Sequence, residues 1–242
     1  MDSTSVIAAA LQSACRDIGI AVPTERDARF VIGLGAADTF RHVAPQLDEE
    51  GQKRLADRYR HHFLANEHQA PLYEGVREML SDLHGRGRRL AVATGKARRG
   101  LERVLDATGL RRWFEATRCA DEGFAKPHPD MLLMLMDMTG VEPRRTLMVG
   151  DTTHDLELAT NAGVDAISVS YGAHDEELLA TRPARARVSS VADLHRWLNE
   201  NGSSANRRRS PSAGRACASR SPARRARRRA SRSAISAPFA PT

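Results

Sequence analysis

The chain has 242 residues, 41% of them hydrophobic, which is enough to bury a sizeable core in one domain or two small ones. Its net charge of +7 comes from the C-terminal end: residues 207–242 hold eleven arginines and no acidic residue, so residues 1–206 carry 26 basic against 30 acidic side chains. There is no apolar run of about 18 residues, no basic signal region at the N-terminus and no dense cysteine pattern (Cys15, Cys119 and Cys217), which together predict a cytoplasmic protein that does not span a membrane.

The first 70 residues predict helices only. Apolar residues recur at helical spacing over residues 2–19, and residues 48–66 predict a second, charged helix. Between these two helices the chain is interrupted at Pro23, continues as a further helix and then turns at Gly33-x-Gly35. No segment of this part has the pattern of a strand.

From residue 71 onward, short apolar runs alternate with helical patterns. In chain order the pattern predicts helix 75–87, strand 88–95, a helix, strand 113–121, a helix after Pro129, strand 145–151, a helix, strand 165–172, and then a helix, a short strand and a last helix. Such alternation predicts an α/β fold, a Rossmann-like parallel sheet covered by helices on both faces.

The final segment, residues 203–242, consists largely of Arg, Ser, Ala and Pro. It has almost no apolar side chains whose burial would offset the entropy of ordering, so we expect it to be disordered. Two origins fit this composition. One is a genuine basic arm, and the other is a frameshift in a GC-rich gene, because the preceding chain already ends plausibly at LHRWLNENG.

Candidate functional residues stand where predicted strands end. Thr94 and Gly95 follow one strand, and Asp151 follows another, with Asp155 one turn into the next helix. Lys126 lies between them in sequence, on a loop stiffened by two prolines. Because ligands of open α/β sheets bind outside the carboxyl ends of the strands, these residues predict a phosphate site with Mg²⁺. Paired carboxylates suit Mg²⁺, and a lysine suits phosphate oxygens.

Each of these residues also has a purely structural interpretation. Thr-Gly after a strand is usually a turn, Lys-Pro is usually a surface loop, Asp151 can cap the following helix, and Asp155 can favour the positive end of that helix. We expect His154 and the pair His61-His62 to be packed or solvated rather than metal-bound. Four methionines are expected to fill the core, namely Met131, Met134, Met136 and Met138. Only the ordered combination of residues makes the phosphate site the better interpretation.

The combination resembles the haloacid dehalogenase superfamily of phosphatases that use an aspartate nucleophile. AVATGK resembles its second motif, AKPHPD its third and VGDTTHDLELATNAG its fourth, over residues 2–200 in all. The resemblance is to the helical-cap subfamily that includes phosphoglycolate phosphatases. It implies a cap over residues 1–72 and an α/β core over 73–202. It also implies Mg²⁺-dependent hydrolysis of a small-molecule phosphate monoester through an aspartyl-phosphate intermediate.

The resemblance further implies a role for each site residue. Thr94 and Lys126 would be the catalytic residues present in the chain, and together with Gly95 they would bind phosphate. Asp151 and Asp155 would hold the metal. The expected partner is a small phosphate ester. The protein is expected to be a monomer or a homodimer and to have no membrane partner.

The first motif of the family, Asp-x-Asp-Gly-Thr, is missing from this sequence. Its first aspartate attacks phosphorus and its second is the general acid/base, and Met1-Asp2-Ser3 resembles the family residues immediately after this motif. Asp2 is a poor substitute, because it should sit at the start of the first helix. The strand that carries the motif is central, so its absence is expected to leave two unpaired edges and an unstable or rearranged chain. Three explanations fit the missing motif: a start codon assigned too late, a real truncation, or a catalytically dead pseudoenzyme.

Two further functions stay open from the sequence. One is a phosphate-binding regulator without turnover. The other is a binder of nucleic acid or of an acidic partner through the arginine-rich tail, which would show steep salt dependence. The acidic body, and a tail with a single aromatic residue, Phe239, disfavour the nucleic-acid binder.

Overall fold

Four helices form the N-terminal part of the chain; the sequence predicts this part to be helical, but it predicts three of these helices and not the one after Gly35. They are α1 (Thr4–Asp17), α2 (Glu25–Phe30), α3 (Ala36–Val43) and α4 (Glu49–Asn66). The structure, a computed structural model, describes residues 1–67 and 70–201, so the predicted disordered tail lies outside the described residues. The start of α2 is capped by the Thr24 side chain, which accepts from the Asp27 amide, and Asp48 caps α4 in the same way.

These four helices, which we call the cap, have a hydrophobic core of their own. Small and apolar side chains of all four helices meet there and are fully or nearly fully buried, namely Ala8, Leu11, Ala14, Cys15, Ala28, Val31, Phe40, Ala44 and Leu55. The alanines of α1 allow the helices to approach closely. Cys15 lies within this core as a free thiol, and Cys119 is a buried free thiol in a different cluster.

The rest of the described chain alternates helices and short strands. In order these are α5 (Val76–Gly85), β1 (Ala91–Thr94), α6 (Arg98–Thr108), β2 (Ala116–Cys119), α7 (Asp130–Thr139), β3 (Leu147–Gly150), α8 (Thr153–Asn161), β4 (Asp165–Val169), α9 (Glu176–Ala180), β5 (Ala186–Val188) and α10 (Val191–Asn201). Every strand pair is parallel, which confirms the predicted α/β class. None of the helices in the described ranges is long and apolar enough to cross a membrane.

The strands form two sheets rather than one. β1 pairs with β2 in the first sheet, and β3, β4 and β5 form the second in that order. Among the described residues no strand lies between β1 and β3. Val149 in β3 is 37% exposed, although strands of a parallel sheet are normally buried on both faces.

Helices on both faces hold the two sheets together. On one face α7 and α8 pack against Ala116 of the first sheet and Met148 of the second, in one continuous hydrophobic cluster. On the other face α5 contributes Leu80 to the cluster below β1 and β2, and Met79 to the cluster below β4. The two sheets therefore share their covering helices even though they share no hydrogen-bonded strands.

The prediction that all four methionines of α7 fill the core is wrong for two of them. Met131 and Met136 are buried, whereas Met134 and Met138 are 37% and 55% exposed. The helix is apolar on nearly every side, but only one of its sides faces the sheet. Its remaining methionines therefore point away from the core.

Candidate functional site

The predicted site residues converge at the carboxyl ends of β1 and β3. Thr94 is the last residue of β1, and its hydroxyl accepts a hydrogen bond from the Lys96 amide at 3.1 Å. Gly150 is the last residue of β3, and Asp151 follows it directly. Lys126 bonds both the Ala93 carbonyl of β1 and Asp155 in the helix after β3, so these two strand ends lie close together. The structure thus brings together the residues that the sequence singled out.

Lys126 connects the two strand ends. It lies on the loop between β2 and α7 with only 6% of its surface exposed. Its Nζ donates to the Ala93 carbonyl of β1 at 3.0 Å and to Asp155 Oδ1 at 2.6 Å. Burying an ammonium group is costly unless it is paired and hydrogen-bonded, and both conditions are met. The surface-loop interpretation of Lys126 is therefore wrong.

Asp155 is also buried, and both of its oxygens are occupied. While Oδ1 accepts from Lys126, Oδ2 accepts from the Thr152 amide at 3.1 Å and from the Thr152 hydroxyl at 2.8 Å. In return the Thr152 hydroxyl accepts from the Asp155 amide, which completes a capping box at the start of α8. Burial pushes the pKa of Asp155 up, but the Lys126 ammonium and the hydrogen bonds from Thr152 outweigh it and hold that pKa below its ordinary value.

Asp151 has the opposite electrostatic balance. Burial, followed by the negative charge of Asp155, raises the pKa of Asp151, although the Ala173 amide donates to its Oδ2 at 2.9 Å. Asp151 is not the helix cap suggested by the structural interpretation of the sequence, because Thr152 occupies that position. Two neighbouring carboxylates thus share the Lys126 ammonium group, and the N-terminal amino group of Met1 is a second positive charge that acts on Asp151.

These residues fit a magnesium ion, with unequal parts for the two aspartates. Carboxylate oxygens are its preferred ligands, and the negative charges of the two aspartates would attract a divalent cation. Asp151 is the candidate for direct ligation. The oxygens of Asp155 already accept hydrogen bonds, so Asp155 fits the outer coordination shell of the ion or a contact to it through a water molecule. Within residues 1–67 and 70–201, no group of three or more His, Cys, Asp or Glu side chains forms a metal cluster.

The cap covers this edge of the sheets with the Gly33-x-Gly35 turn. A β-carbon on Gly95 would lie 2.5 Å from the Gly33 carbonyl oxygen and 2.6 Å from that of Leu34, so only glycine allows the turn to approach this closely. Gly33 in turn faces the side chain of Thr152. The predicted phosphate-binding residue Gly95 is therefore in direct contact with the cap.

Two histidines lie beside the site and contact the cap. His154 is buried in α8, as its packed interpretation expects, and its Nε2 donates to the Phe30 carbonyl at 2.8 Å. His174 was missed by the sequence reasoning. Its Nε2 bonds the same carbonyl at 3.0 Å and its Nδ1 accepts from the Thr153 amide. The segment after β4 could have been flagged, because it follows the carboxyl end of a strand in the same way as Asp151 does.

Comparison with known proteins identifies the family. Residues 1–169 match the family model described as haloacid dehalogenase-like hydrolase.

The chain belongs to this family.

Named relatives of this hydrolase are phosphatases. It is 36% identical over 202 residues to the probable phosphatase IndB of Dickeya dadantii, covering 80% of this chain and 86% of the relative. It is 32% identical over 170 residues to the pyrophosphatase PpaX of Halalkalibacterium halodurans, covering 70% and 78%.

A solved structure supports the fold. The crystal structure of a predicted phosphoglycolate phosphatase from Haemophilus somnus matches the hydrolase with a TM-score of 0.71 and 25% identity, covering 80% of this chain and 91% of that one. The predicted family and fold class are confirmed.

Proposed function

We propose that this hydrolase cleaves small-molecule phosphate monoesters with Mg²⁺ at the edge formed by Thr94, Lys126 and Asp151. The observation that carries the proposal is the buried Lys126, which joins the Ala93 carbonyl of β1 to the Asp155 carboxylate in α8. A fixed ammonium beside paired carboxylates suits the binding of a phosphoryl group next to a metal ion. The match to relatives that are named phosphatases supports the same reaction class.

The residues present bind and orient the substrate. The Thr94 hydroxyl, the Gly95 amide and the Lys126 ammonium would hold the phosphoryl oxygens and stabilise the charge that develops on them. Asp151 would ligate Mg²⁺ directly, and Asp155 would lie in the outer coordination shell or contact the ion through water. When bound, the ion neutralises phosphoryl charge and fixes the phosphate in line for attack. The cap turn at Gly33-x-Gly35 would exclude water and contact the leaving group.

The nucleophile is the missing part, and the space between β1 and β3 is where we place it. In the complete mechanism a carboxylate on a strand in this space forms an oxygen–phosphorus bond, and the ester oxygen departs with a proton from a second aspartate two residues along. Water then attacks phosphorus and the aspartate oxygen leaves, which releases inorganic phosphate. The exposed Val149 and the unpaired sides of β1 and β3 are consistent with a strand at this position.

The candidate substrates come from the resemblance to known phosphatases and not from a protein–substrate contact. Phosphoglycolate is the first candidate, pyrophosphate is added by the likeness to PpaX, and sugar phosphates and nucleotides are further candidates. The second function, a phosphate-binding pseudoenzyme, is favoured by one observation: the Asp-x-Asp-Gly-Thr motif that would supply the nucleophile does not occur in this sequence.

The test is Mg²⁺-dependent phosphatase activity on p-nitrophenyl phosphate, phosphoglycolate and pyrophosphate. The 242-residue chain is assayed beside a form extended at its N-terminus, in the genomic frame, by an Asp-x-Asp strand. We expect turnover in the extended form only, and its loss in Asp151→Asn but not in the control Asp165→Asn, whose carboxylate pairs with Arg185 at the start of β4. Turnover by the short chain would overturn our placement of the nucleophile. Phosphate binding without turnover in both forms would establish the pseudoenzyme.

A further inference from the structure

The turn between β4 and α9 lies directly against Asp151. Two consecutive amides of this turn donate to that residue, Ala173 to Oδ2 at 2.9 Å and His174 to the main-chain oxygen at 3.1 Å. A β-carbon on Gly172 would lie 2.1 Å from Asp151 Oδ2, so the backbone of the turn touches the carboxylate. The Ala173 amide therefore orients the carboxylate of Asp151, and the His174 amide holds the main chain of the same residue.

A residue of the cap bonds the other side of the same two peptide groups. The Arg29 guanidinium, at the end of α2, donates through Nη2 to the Gly172 carbonyl at 3.0 Å and through Nε to the Ala173 carbonyl at 3.1 Å. The Gly172 carbonyl and the Ala173 amide belong to one peptide group, and the Ala173 carbonyl and the His174 amide belong to the next. Each peptide group thus accepts from Arg29 at one end and donates to Asp151 at the other.

This arrangement is an electrostatic relay. A cation bonded to a carbonyl polarises the peptide and strengthens the hydrogen bond that its N–H donates, and chains of such bonds reinforce one another away from water. The rigid fork of an arginine suits two carbonyls at once better than the single ammonium of a lysine does. The positive charge of Arg29 is thereby directed at Asp151 without any direct contact between the two side chains.

The next residue of the cap is docked at the same place. The Phe30 carbonyl accepts from both His154 and His174, and the ring of Phe30 stacks on His174 with centroids 5.5 Å apart and planes 4° apart. Arg29 therefore reaches the turn only when this part of the cap is seated on the core.

We propose that Arg29 is a positioning residue for Asp151, and that it couples closure of the cap to the binding of the divalent cation. The inference rests on the metal assignment of the proposed function. Because coupling is reciprocal, the factor by which the seated cap tightens cation binding is also the factor by which the cation favours the seated cap. Partners that orient metal ligands typically contribute about 10–100-fold to affinity. We expect Arg29→Gln to weaken Mg²⁺ binding by about tenfold.

The experiment measures Mg²⁺ affinity by calorimetry and amide hydrogen exchange of the 172–174 turn, on the full chain. Arg29→Gln is compared with Arg29→Lys, which keeps the charge and is expected to recover part of the affinity. The control is Arg26→Gln, which removes an exposed arginine from the same helix. Exchange in the turn should be faster in Arg29→Gln without metal, and Mg²⁺ should slow it in the wild type.

The outcomes separate the two proposals. A lower melting temperature of Arg29→Gln with unchanged Mg²⁺ affinity would mean that Arg29 only docks the cap, and would overturn the inference. If Arg29→Gln does not fold, amide exchange of the 172–174 turn that Mg²⁺ does not slow in the wild type would overturn it equally. Absence of Mg²⁺ binding in the wild type would refute the metal assignment instead, and unchanged exchange in Arg29→Gln would then refute the relay by itself.

Discussion

Replacement of Lys126 by methionine tests the centre of the site through folding stability. Methionine nearly preserves the volume of the side chain but removes the ammonium, so the buried Asp155 carboxylate would lose its ion-pair partner beside the carboxylate of Asp151. The exposed fractions of the Lys126 and Asp155 side chains are 6% and 5%, so solvent screens the pair little. Removing one partner of a buried ion pair costs about 3–5 kcal/mol.

The assay is urea unfolding at pH 7, followed by tryptophan fluorescence. With an m-value of about 3 kcal/mol/M, this loss lowers the unfolding midpoint by about 1–1.7 M. The control is Lys53→Met, which breaks the exposed pair between Lys53 and Glu49 and should leave the midpoint unchanged. Adding Asp155→Asn to Lys126→Met removes both charges and should recover a large share of the loss, which keeps the test decisive if the single variant does not fold.

Lys126→Met should also change how the folding stability depends on pH. In the wild type the lowered pKa of Asp155 contributes stability that is present above its unfolded pKa of about 3.9 and lost as the pH falls through the folded value. Asp151, whose pKa is raised, contributes stability below about 3.9 that is lost as the pH rises through its folded value. Without the ammonium both carboxyl groups follow the second pattern, so Lys126→Met should become more stable on acidification from pH 7 towards about 4. An unchanged midpoint and an unchanged pH profile would refute the buried pair.

Gly95→Ala should displace the cap turn from β1, because the added methyl group would overlap the Gly33 carbonyl oxygen. This displacement should appear as faster amide hydrogen exchange in residues 33–35. Gly85→Ala, where nothing lies within 4 Å, is the matched control, and equal exchange in both variants would contradict the contact. Ile167→Ala should lower the unfolding free energy by about 2–5 kcal/mol, because Ile167 is fully buried. Val149→Ala should lower it much less, because Val149 is 37% exposed. Similar losses of unfolding free energy in the two variants would show that the position beside β3 is filled.

The fold was largely predictable because periodicity and strand-end chemistry are local signals. The helical first 70 residues, the parallel pairing and the helices on both faces follow from apolar spacing. The split into two sheets was expected from a missing motif and not from any apolar pattern. The exposure of Met134 and Met138 could not be predicted, because a helix that is apolar on nearly every side does not reveal which side meets the sheet.

The candidate site was predictable in its acidic and basic residues but not in its connections. Asp151, Asp155 and Lys126 stand beside strand ends and prolines that mark them. The contacts of Arg29 and His174 end on main-chain carbonyls, which every residue possesses, so no residue type signals them. The capping box at Thr152 had a usable signal, a threonine three residues before an aspartate, yet its joint role with Lys126 required the three-dimensional structure.

The two hydrogen bonds of Lys126 also limit how many contacts it can make with a substrate. A lysine ammonium carries three N–H groups in a tetrahedral arrangement, and here one points to the Ala93 carbonyl and one to Asp155. A single N–H is then left for a phosphoryl oxygen, with its direction fixed by the other two. An arginine would bring more donors, but they lie in one plane, so it could not bond a strand carbonyl, a helix carboxylate and a phosphate in three divergent directions. The tetrahedral valence of this nitrogen, and not its charge alone, restricts which residue can occupy the position.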